Sequence, residues 1–271
     1  MTTIEWIQEL LGQRLQPLVL AITNLGSEYA YIALLTLYYW LIDPWTGRQL
    51  GLLLGISYGC NTILKELFDM PRPFELNPDI ASADAIATSE NASFPSGHIQ
   101  GSATFWIYLS LHHRRLWLWV WSLIILPLIA VSRLYLGVHF PLDVVAGLIV
   151  GILFAAIGTA WSIPVKPRFI VRVTVVILTF FIASLWEPLA RSLGVITGFF
   201  LTQPQFTPPS TWKRRLLLGG IGLILVLTLF IGSRWILGDW RNQGWVNYWR
   251  YSLLTLFATE IVPRLLHRQT G

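Results

Sequence analysis

The chain has 271 residues, of which 54% are hydrophobic and only 12% are charged. That is far more apolar than an average globular chain, and it excludes a soluble domain because a soluble core cannot hide so much apolar surface. The formal net charge of +5 does not indicate nucleic-acid binding, since the basic residues lie beside hydrophobic spans, where they act as topology signals and contact head groups.

Residues 1–17 open the chain with an amphipathic pattern. Its apolar residues recur at helical spacing and are Ile4, Ile7, Leu10 and Leu11. This spacing predicts a helix that lies on the membrane surface, with a helix packed against the protein as the alternative. The acidic Glu5 and Glu9 replace the basic start that a secretory signal needs, so we expect no cleavable signal.

Nine apolar stretches follow in chain order. A helix needs about 20 predominantly apolar residues to cross a hydrocarbon core about 30 Å thick. Five stretches are long and apolar, namely 48–67, 116–136, 142–163, 168–187 and 215–237. Three are shorter or more polar, namely 29–42, 97–112 and 247–264, and a ninth at 190–205 either spans or re-enters the membrane. The sequence therefore predicts an all-α, polytopic transmembrane helical bundle of about nine spans.

The distribution of Lys and Arg predicts the orientation of these spans. Eleven basic residues fall on one face: Arg48, Arg114, Arg115, Lys166, Arg168, Arg172, Lys213, Arg214, Arg215, Arg264 and Arg268. Five fall on the other: Arg14, Arg191, Arg234, Arg241 and Arg250. Because cytoplasmic loops carry the excess of positive charge, we expect the first face to be cytoplasmic and the loop at 68–95 to be outside.

The end of the second span carries two cations, Lys65 and Arg72, the latter followed by Pro73. Such a lysine at a helix end is usually a snorkelling side chain, so this pattern alone indicates little.

The sequence Pro95-Ser96-Gly97-His98 comes directly before an apolar run. It places a serine at the N-cap and Gly97 and His98 in the first turn of a helix. The N–H groups and the positive end of such a helix bind anions, and a glycine lets a phosphate oxygen approach the backbone. A simple cap with an incidental histidine is the alternative.

The third cluster runs from Ser132 and Arg133 to His139, Pro141 and Asp143. Pro141 suits the first turn of a helix, so His139 and Asp143, four residues apart, can face each other. A carboxylate held on one ring nitrogen leaves the other free to act as a nucleophile. Charged residues at membrane depth are costly, which favours function over a structural polar cluster.

Together the three clusters resemble the signature of the type 2 phosphatidic acid phosphatase superfamily, over about residues 29–163. This family also includes glucose 6-phosphatase and sphingosine 1-phosphate phosphatases. The resemblance implies a phosphatase core like its six-helix fold, flanked by an interfacial segment at 1–28 and additional transmembrane helices at 164–271.

The resemblance also implies the chemistry. His139 would attack phosphorus and form a phosphohistidine, Asp143 would orient it, and His98 would protonate the leaving alkoxide. The phosphoryl oxygens would be held by Lys65, Arg72, Ser96, Gly97 and Arg133. No cofactor and no metal is expected, because the motifs contain no ligand cluster with metal spacing.

The expected function is hydrolysis of a lipid phosphomonoester or pyrophosphate, such as phosphatidic acid, a prenyl pyrophosphate or a sphingoid phosphate. Phosphotransfer to a lipid or sugar acceptor and a non-catalytic transporter or scaffold are the alternatives. The expected partners are the lipid phosphate and membrane lipids, without nucleic acid, and the sequence does not determine the oligomeric state. Compact loops favour a bacterial plasma membrane with an exoplasmic active site. The triplet Asn91-Ala92-Ser93 matches a glycosylation site but is common by chance.

Overall fold

The computed structural model describes residues 2–89, 91–161 and 167–267. The described part of the chain does not include Glu90, Lys166, Arg268 or the side chain of Arg241. The predicted end of the fifth span, at residue 163, also lies outside it. The fold is all-α as predicted, and the described residues form no strand. The chain divides into two compact units. The first comprises Met1–Ala30 and Cys60–Trp161, and the second comprises Tyr31–Gly59 and Ser162–Gly271. The predicted division at residues 28 and 163 stays a prediction.

The first unit contains the short N-terminal and loop helices and three long ones. Its helices are α1 (Thr3–Leu11), α2 (Gln16–Thr23), the end of α4 (Pro44–Phe68), α5 (Pro73–Leu76), α6 (Ala83–Ile86), α7 (Gly97–His113), α8 (Leu116–Tyr135) and α9 (Pro141–Ala160).

The second unit contains the remaining helices. They are most of α3 (Glu28–Leu41), most of α4, α10 (Phe169–Leu185), α11 (Ala190–Leu201), α12 (Trp212–Leu237), α13 (Gly244–Leu256) and α14 (Val262–His267). Here α11 packs closely on α13, because a Cβ at Gly194 would lie 2.6 Å from the carbonyl oxygen of Tyr248. A π-helical turn at Phe257–Ile261 joins α13 to α14, and its Ala258 carbonyl accepts a hydrogen bond from Trp40 Nε1 at 2.8 Å.

Three described helices are long and apolar enough to cross a membrane: Leu116–Tyr135, Pro141–Ala160 and Trp212–Trp240. A fourth span results if Gln16–Gly26 and Glu28–Leu41, which meet at 49°, count as one bent span. The count of nine spans is therefore not confirmed. The helix α11 has 12 residues, a length of about 18 Å, which is shorter than a hydrocarbon core of about 30 Å.

The N-terminal helix α1 lies within the segment 1–17 that was predicted to be helical, and it packs against its own unit. Thr2 and Glu5 form a capping box, in which the backbone N–H of Thr2 donates to Glu5 Oε2 at 2.7 Å. Ile7 is buried in one hydrophobic cluster with Tyr135, the last residue of α8, and with Val138, which follows that helix. The face that was predicted to lie on the membrane is thus partly covered by protein, and the prediction of an interfacial helix remains untested.

The close packing of α7 on α9 positions the site. A Cβ at Gly147 would lie 2.5 Å from the carbonyl oxygen of Ser96, and one at Gly151 would lie 2.5 Å from that of Gln100. Small residues of this kind let two membrane helices approach backbone to backbone. The first turn of α7 therefore lies beside the first turn of α9, where the Ser96 N–H donates to the Asp143 carbonyl at 3.0 Å.

Candidate active site

All eight predicted site residues lie in the first unit, at the ends of its helices. Lys65 is in the last turn of α4, Arg72 is the N-cap of α5, Ser96 is the N-cap of α7, Gly97 and His98 begin α7, Arg133 is in the last turn of α8, His139 lies between α8 and α9, and Asp143 is in the first turn of α9.

His139 and Asp143 form a buried pair. Nδ1 of His139 lies 3.3 Å from Oδ2 of Asp143, and each side chain is only 2% exposed. The same Oδ2 accepts the Phe140 N–H at 2.8 Å and the Ser93 hydroxyl at 2.5 Å. Three donors thus fix the carboxylate, and the carboxylate in turn fixes the imidazole ring.

The other nitrogen of the ring faces a cation. Nε2 of His139 lies 3.4 Å from Nη1 of Arg72. A guanidinium group can only donate hydrogen bonds, so this contact favours the tautomer that carries its proton on Nδ1 and a lone pair on Nε2. Burial, reinforced by the charges of Arg133, Arg72 and Lys65, also holds the pKa of His139 well below its usual range. The ring is therefore neutral with a free electron pair at Nε2.

The loop Asn91-Ala92-Ser93 holds three site residues together. Lys65 Nζ donates to the carbonyls of Ala92 and Ser93. Arg72 donates from Nε to the Asn91 carbonyl at 2.9 Å and from Nη2 to the Ala92 carbonyl at 3.3 Å. Because the Ser93 hydroxyl also donates a hydrogen bond to Asp143, this loop links Lys65 and Arg72 to the His–Asp pair. Sequence reasoning had found in it only a glycosylation triplet.

Two buried polar atoms at the site have no hydrogen-bond partner among the described residues: Ser96 Oγ and Arg133 Nε. Ser96 occupies the predicted N-cap position, yet its hydroxyl makes no capping bond. Unpaired buried polar atoms are uncommon because each costs free energy, and a ligand is one of the partners that can satisfy them. Next to them, the backbone N–H of Gly97, at the start of α7, has no partner within its own helix.

His98 lies in the first turn of α7, beside the N-terminal segment. Its ring packs beside Gly26, where a Cβ would lie 3.3 Å from His98 Cδ2. The positive charge of Arg133 is close enough to act on this ring.

The site combines three buried cations with a single carboxylate. Lys65, Arg72 and Arg133 are each at most 9% exposed, and the described side-chain hydrogen bonds of Lys65 and Arg133 go to neutral acceptors. Burial lowers the pKa of Arg72, which shows how strongly its charge is desolvated. Buried charges need a counter-charge, so this arrangement suits an anion with several oxygens. Within the described ranges, no three His, Cys, Asp or Glu side chains are placed to hold a metal ion.

Sequence reasoning missed three residues that contact this site: Ser93, Thr23 and Thr88. Thr23 and Thr88 each accept a hydrogen bond from Arg133 Nη1 at 2.9 Å. Arg133 lies 110 residues from Thr23 and 45 residues from Thr88 along the chain. Single hydroxyl residues at such separations form no pattern that a sequence could display.

The fold defines an integral membrane protein, and the site places three buried cations around a buried His–Asp pair. Comparison with known proteins gives the family. The PAP2 superfamily matches residues 46–166. Undecaprenyl-diphosphatase of Sulfolobus acidocaldarius is 32% identical over 158 residues, which cover 56% of this chain and 74% of that protein. The chain belongs to the PAP2 superfamily.

Two further similarities define how far the relationship extends. Sphingosine-1-phosphate phosphatase 1 of Mus musculus is 30% identical over 141 residues, which cover 50% of this chain but only 32% of that protein. The crystal structure of Aquifex aeolicus LpxE superposes with a TM-score of 0.50 at 28% identity, covering 58% of this chain and 93% of that chain. The matched region thus spans about a third of the mouse protein and nearly all of the LpxE chain.

Proposed function

We propose that this protein is a membrane phosphatase that hydrolyses a phosphomonoester or diphosphate of a lipid through a phosphohistidine on His139. The observation that carries the proposal is the pairing of His139, with Nδ1 on Asp143 and Nε2 facing Arg72. A nucleophile oriented by a third group and placed at an anion site is the arrangement that covalent phosphoryl transfer needs.

In the first step Nε2 of His139 attacks phosphorus, and the bond from phosphorus to the leaving oxygen breaks. The Nδ1 proton stays hydrogen-bonded to Asp143, which stabilises the positive ring that forms. His98 gives a proton to the departing alkoxide. Lys65, Arg72 and Arg133, with the Ser96 hydroxyl and the Gly97 N–H, bind the three equatorial oxygens as their charge develops.

In the second step water attacks the phosphohistidine. His98, now neutral, takes a proton from this water, the N–P bond breaks, and inorganic phosphate leaves with His139 restored. No step in this scheme requires a metal ion.

A lipid substrate is supported by two observations. The pocket belongs to a unit with two helices long and apolar enough to cross a membrane, Leu116–Tyr135 and Pro141–Ala160, so a substrate can arrive by lateral diffusion. The relatives with matching sequence are named for sphingosine 1-phosphate and undecaprenyl diphosphate, both lipid phosphates.

Phosphate release from the purified protein in liposomes tests the proposal. The substrates are phosphatidic acid, sphingosine 1-phosphate, undecaprenyl pyrophosphate and, as a soluble comparison, glucose 6-phosphate. We expect at least one lipid to be hydrolysed and His139→Ala to be inactive. Activity that survives in His139→Ala, or preference for the soluble sugar phosphate, would contradict the proposal. Parallel reactions with a lipid alcohol acceptor distinguish hydrolysis from phosphotransfer.

We also propose that the site faces outward from a bacterial plasma membrane, which rests on the eleven basic residues against five. In a Cys60→Ala background, a cysteine at the exposed Asp84 reports on the loop beside the site, and one at the exposed Arg115 reports on the far end of α7. An impermeant maleimide should label the first in intact cells and the second only after lysis. The reverse pattern would overturn the orientation.

A further inference from the structure

Among the described residues, Arg133 is held by neutral groups alone. Its side chain is 0% exposed. Nη1 donates to the hydroxyls of Thr23 and Thr88, each at 2.9 Å, and Nη2 donates to the Thr88 carbonyl at 3.2 Å. Within the described part of the chain no carboxylate forms an ion pair with it.

This choice of partners has an electrostatic consequence. A carboxylate beside Arg133 would hold the guanidinium in place but would also neutralise its charge. Hydroxyl and carbonyl oxygens fix the group through hydrogen bonds and leave its full positive charge for another ligand. Nε remains without a partner among the described residues, so a donor is kept available as well.

One of these partners comes from outside the region that the PAP2 superfamily matches. Thr23 ends α2, whereas the match begins at residue 46. Thr23 is itself fully buried. Three residues later Gly26 lies against both His98 and Ile129, since a Cβ there would be 3.3 Å and 3.1 Å from their nearest atoms. The N-terminal segment therefore contacts two of the residues to which the reaction is assigned.

We infer that Thr23 and Thr88 are positioning residues that fix Arg133 for binding a phosphoryl group, so that the N-terminal segment is part of the active site. This inference rests on the proposed function, because it assigns Arg133 to the phosphoryl oxygens. It predicts that the two hydroxyls govern affinity for a phosphate-like oxyanion.

Calorimetry tests the inference: it measures the affinity of the protein in detergent for vanadate, without any substrate. Thr23→Val keeps the shape of the side chain and removes the hydroxyl, so we expect vanadate affinity to fall about tenfold, the effect of losing one hydrogen bond to a charged group. Thr23→Ser keeps the hydroxyl and should bind within about twofold of the wild type. Should Thr23→Val fail to fold, Thr88→Val makes the same test from the other side of the guanidinium.

Thr104→Val is the matched control, because Thr104 is equally buried in the same unit and its hydroxyl bonds to the Gln100 carbonyl at 2.9 Å, away from Arg133. We expect its vanadate affinity to be unchanged. Equal losses in Thr23→Val and Thr104→Val, or unchanged affinity in Thr23→Val, would overturn the inference. A wild type that binds vanadate but hydrolyses no phosphate ester would overturn the proposed function instead, while the affinity comparison would still decide the role of Thr23.

Discussion

Ser93→Ala is the perturbation that most directly tests the organisation of the His–Asp pair. The Ser93 hydroxyl donates to Asp143 Oδ2 at 2.5 Å, in a position that is 0% exposed. A hydrogen bond to a charged group contributes about 1.5–3 kcal/mol, and each 1.36 kcal/mol changes a rate about tenfold. The Phe140 N–H and His139 still donate to Asp143 in the variant, so we expect the lower end of that range, a fall in kcat of about tenfold.

The assay is phosphate release under saturating substrate, combined with rapid-quench trapping of the phosphoenzyme. Because Ser93 orients the nucleophile rather than the substrate, the fall should appear in the rate of phosphoenzyme formation, with KM little changed. Ser89→Ala is the control, since this serine is in the same loop but donates to the Ile86 carbonyl. If Ser93→Ala is folded and as fast as the wild type, the carboxylate does not need this donor and the reasoning is refuted.

Three further predictions concern the chemistry. Turnover should persist in EDTA and be inhibited by vanadate, and restoration of an EDTA-inactivated enzyme by Mg²⁺ would contradict the metal-free scheme. His98→Ala should lose about a hundredfold more activity on an alkyl phosphate than on p-nitrophenyl phosphate, whose leaving group needs little protonation; equal losses would remove His98 as the acid. The pKa of His139 is lower in the folded protein than in the unfolded chain. As the pH falls below about 6.5, the unfolded chain therefore binds a proton at His139 that the folded protein does not bind. The free energy of unfolding should thus keep its full value above that pH and decrease below it. Melting temperatures between pH 7.5 and 5 should therefore fall more for the wild type than for His139→Gln, and parallel curves would show that His139 is not buried in its neutral form.

Local sequence patterns predicted the parts of the site that depend on neighbouring residues. Pro141 opens α9, and the predicted contact of His139 with Asp143 forms because Asp143, in the first turn of α9, reaches back to the residues that precede the helix. Ser96 is the N-cap of α7 as predicted, but its hydroxyl is left unpaired instead of capping the helix. The catalytic roles of these residues stay predictions until variants are measured.

The contacts that depend on tertiary packing were not predictable. The bond from Arg133 to Thr23 joins residues far apart in the sequence, and Thr23 has no feature that distinguishes it from other threonines. The predicted number of spans is not confirmed for a related reason. Hydropathy located helices near each apolar stretch, but it cannot tell a short helix such as α11 from a crossing one, because helix length depends on where packing and turns end each helix.

The glycine face of α9 fixes the position of the first turn of α7. At Gly147 an added Cβ would lie 2.5 Å from the backbone carbonyl oxygen of Ser96 and 3.1 Å from the Ile99 side chain. Backbone atoms cannot adopt new rotamers to accommodate an added methyl group, so a substitution here would displace the turn that carries Ser96 and His98. At Gly26 the nearest atoms belong to the side chains of Ile129 and His98, which can shift by a few tenths of an ångström. The contact of the N-terminal segment with α7 and α8 therefore tolerates an added methyl group better than the contact between α7 and α9 does.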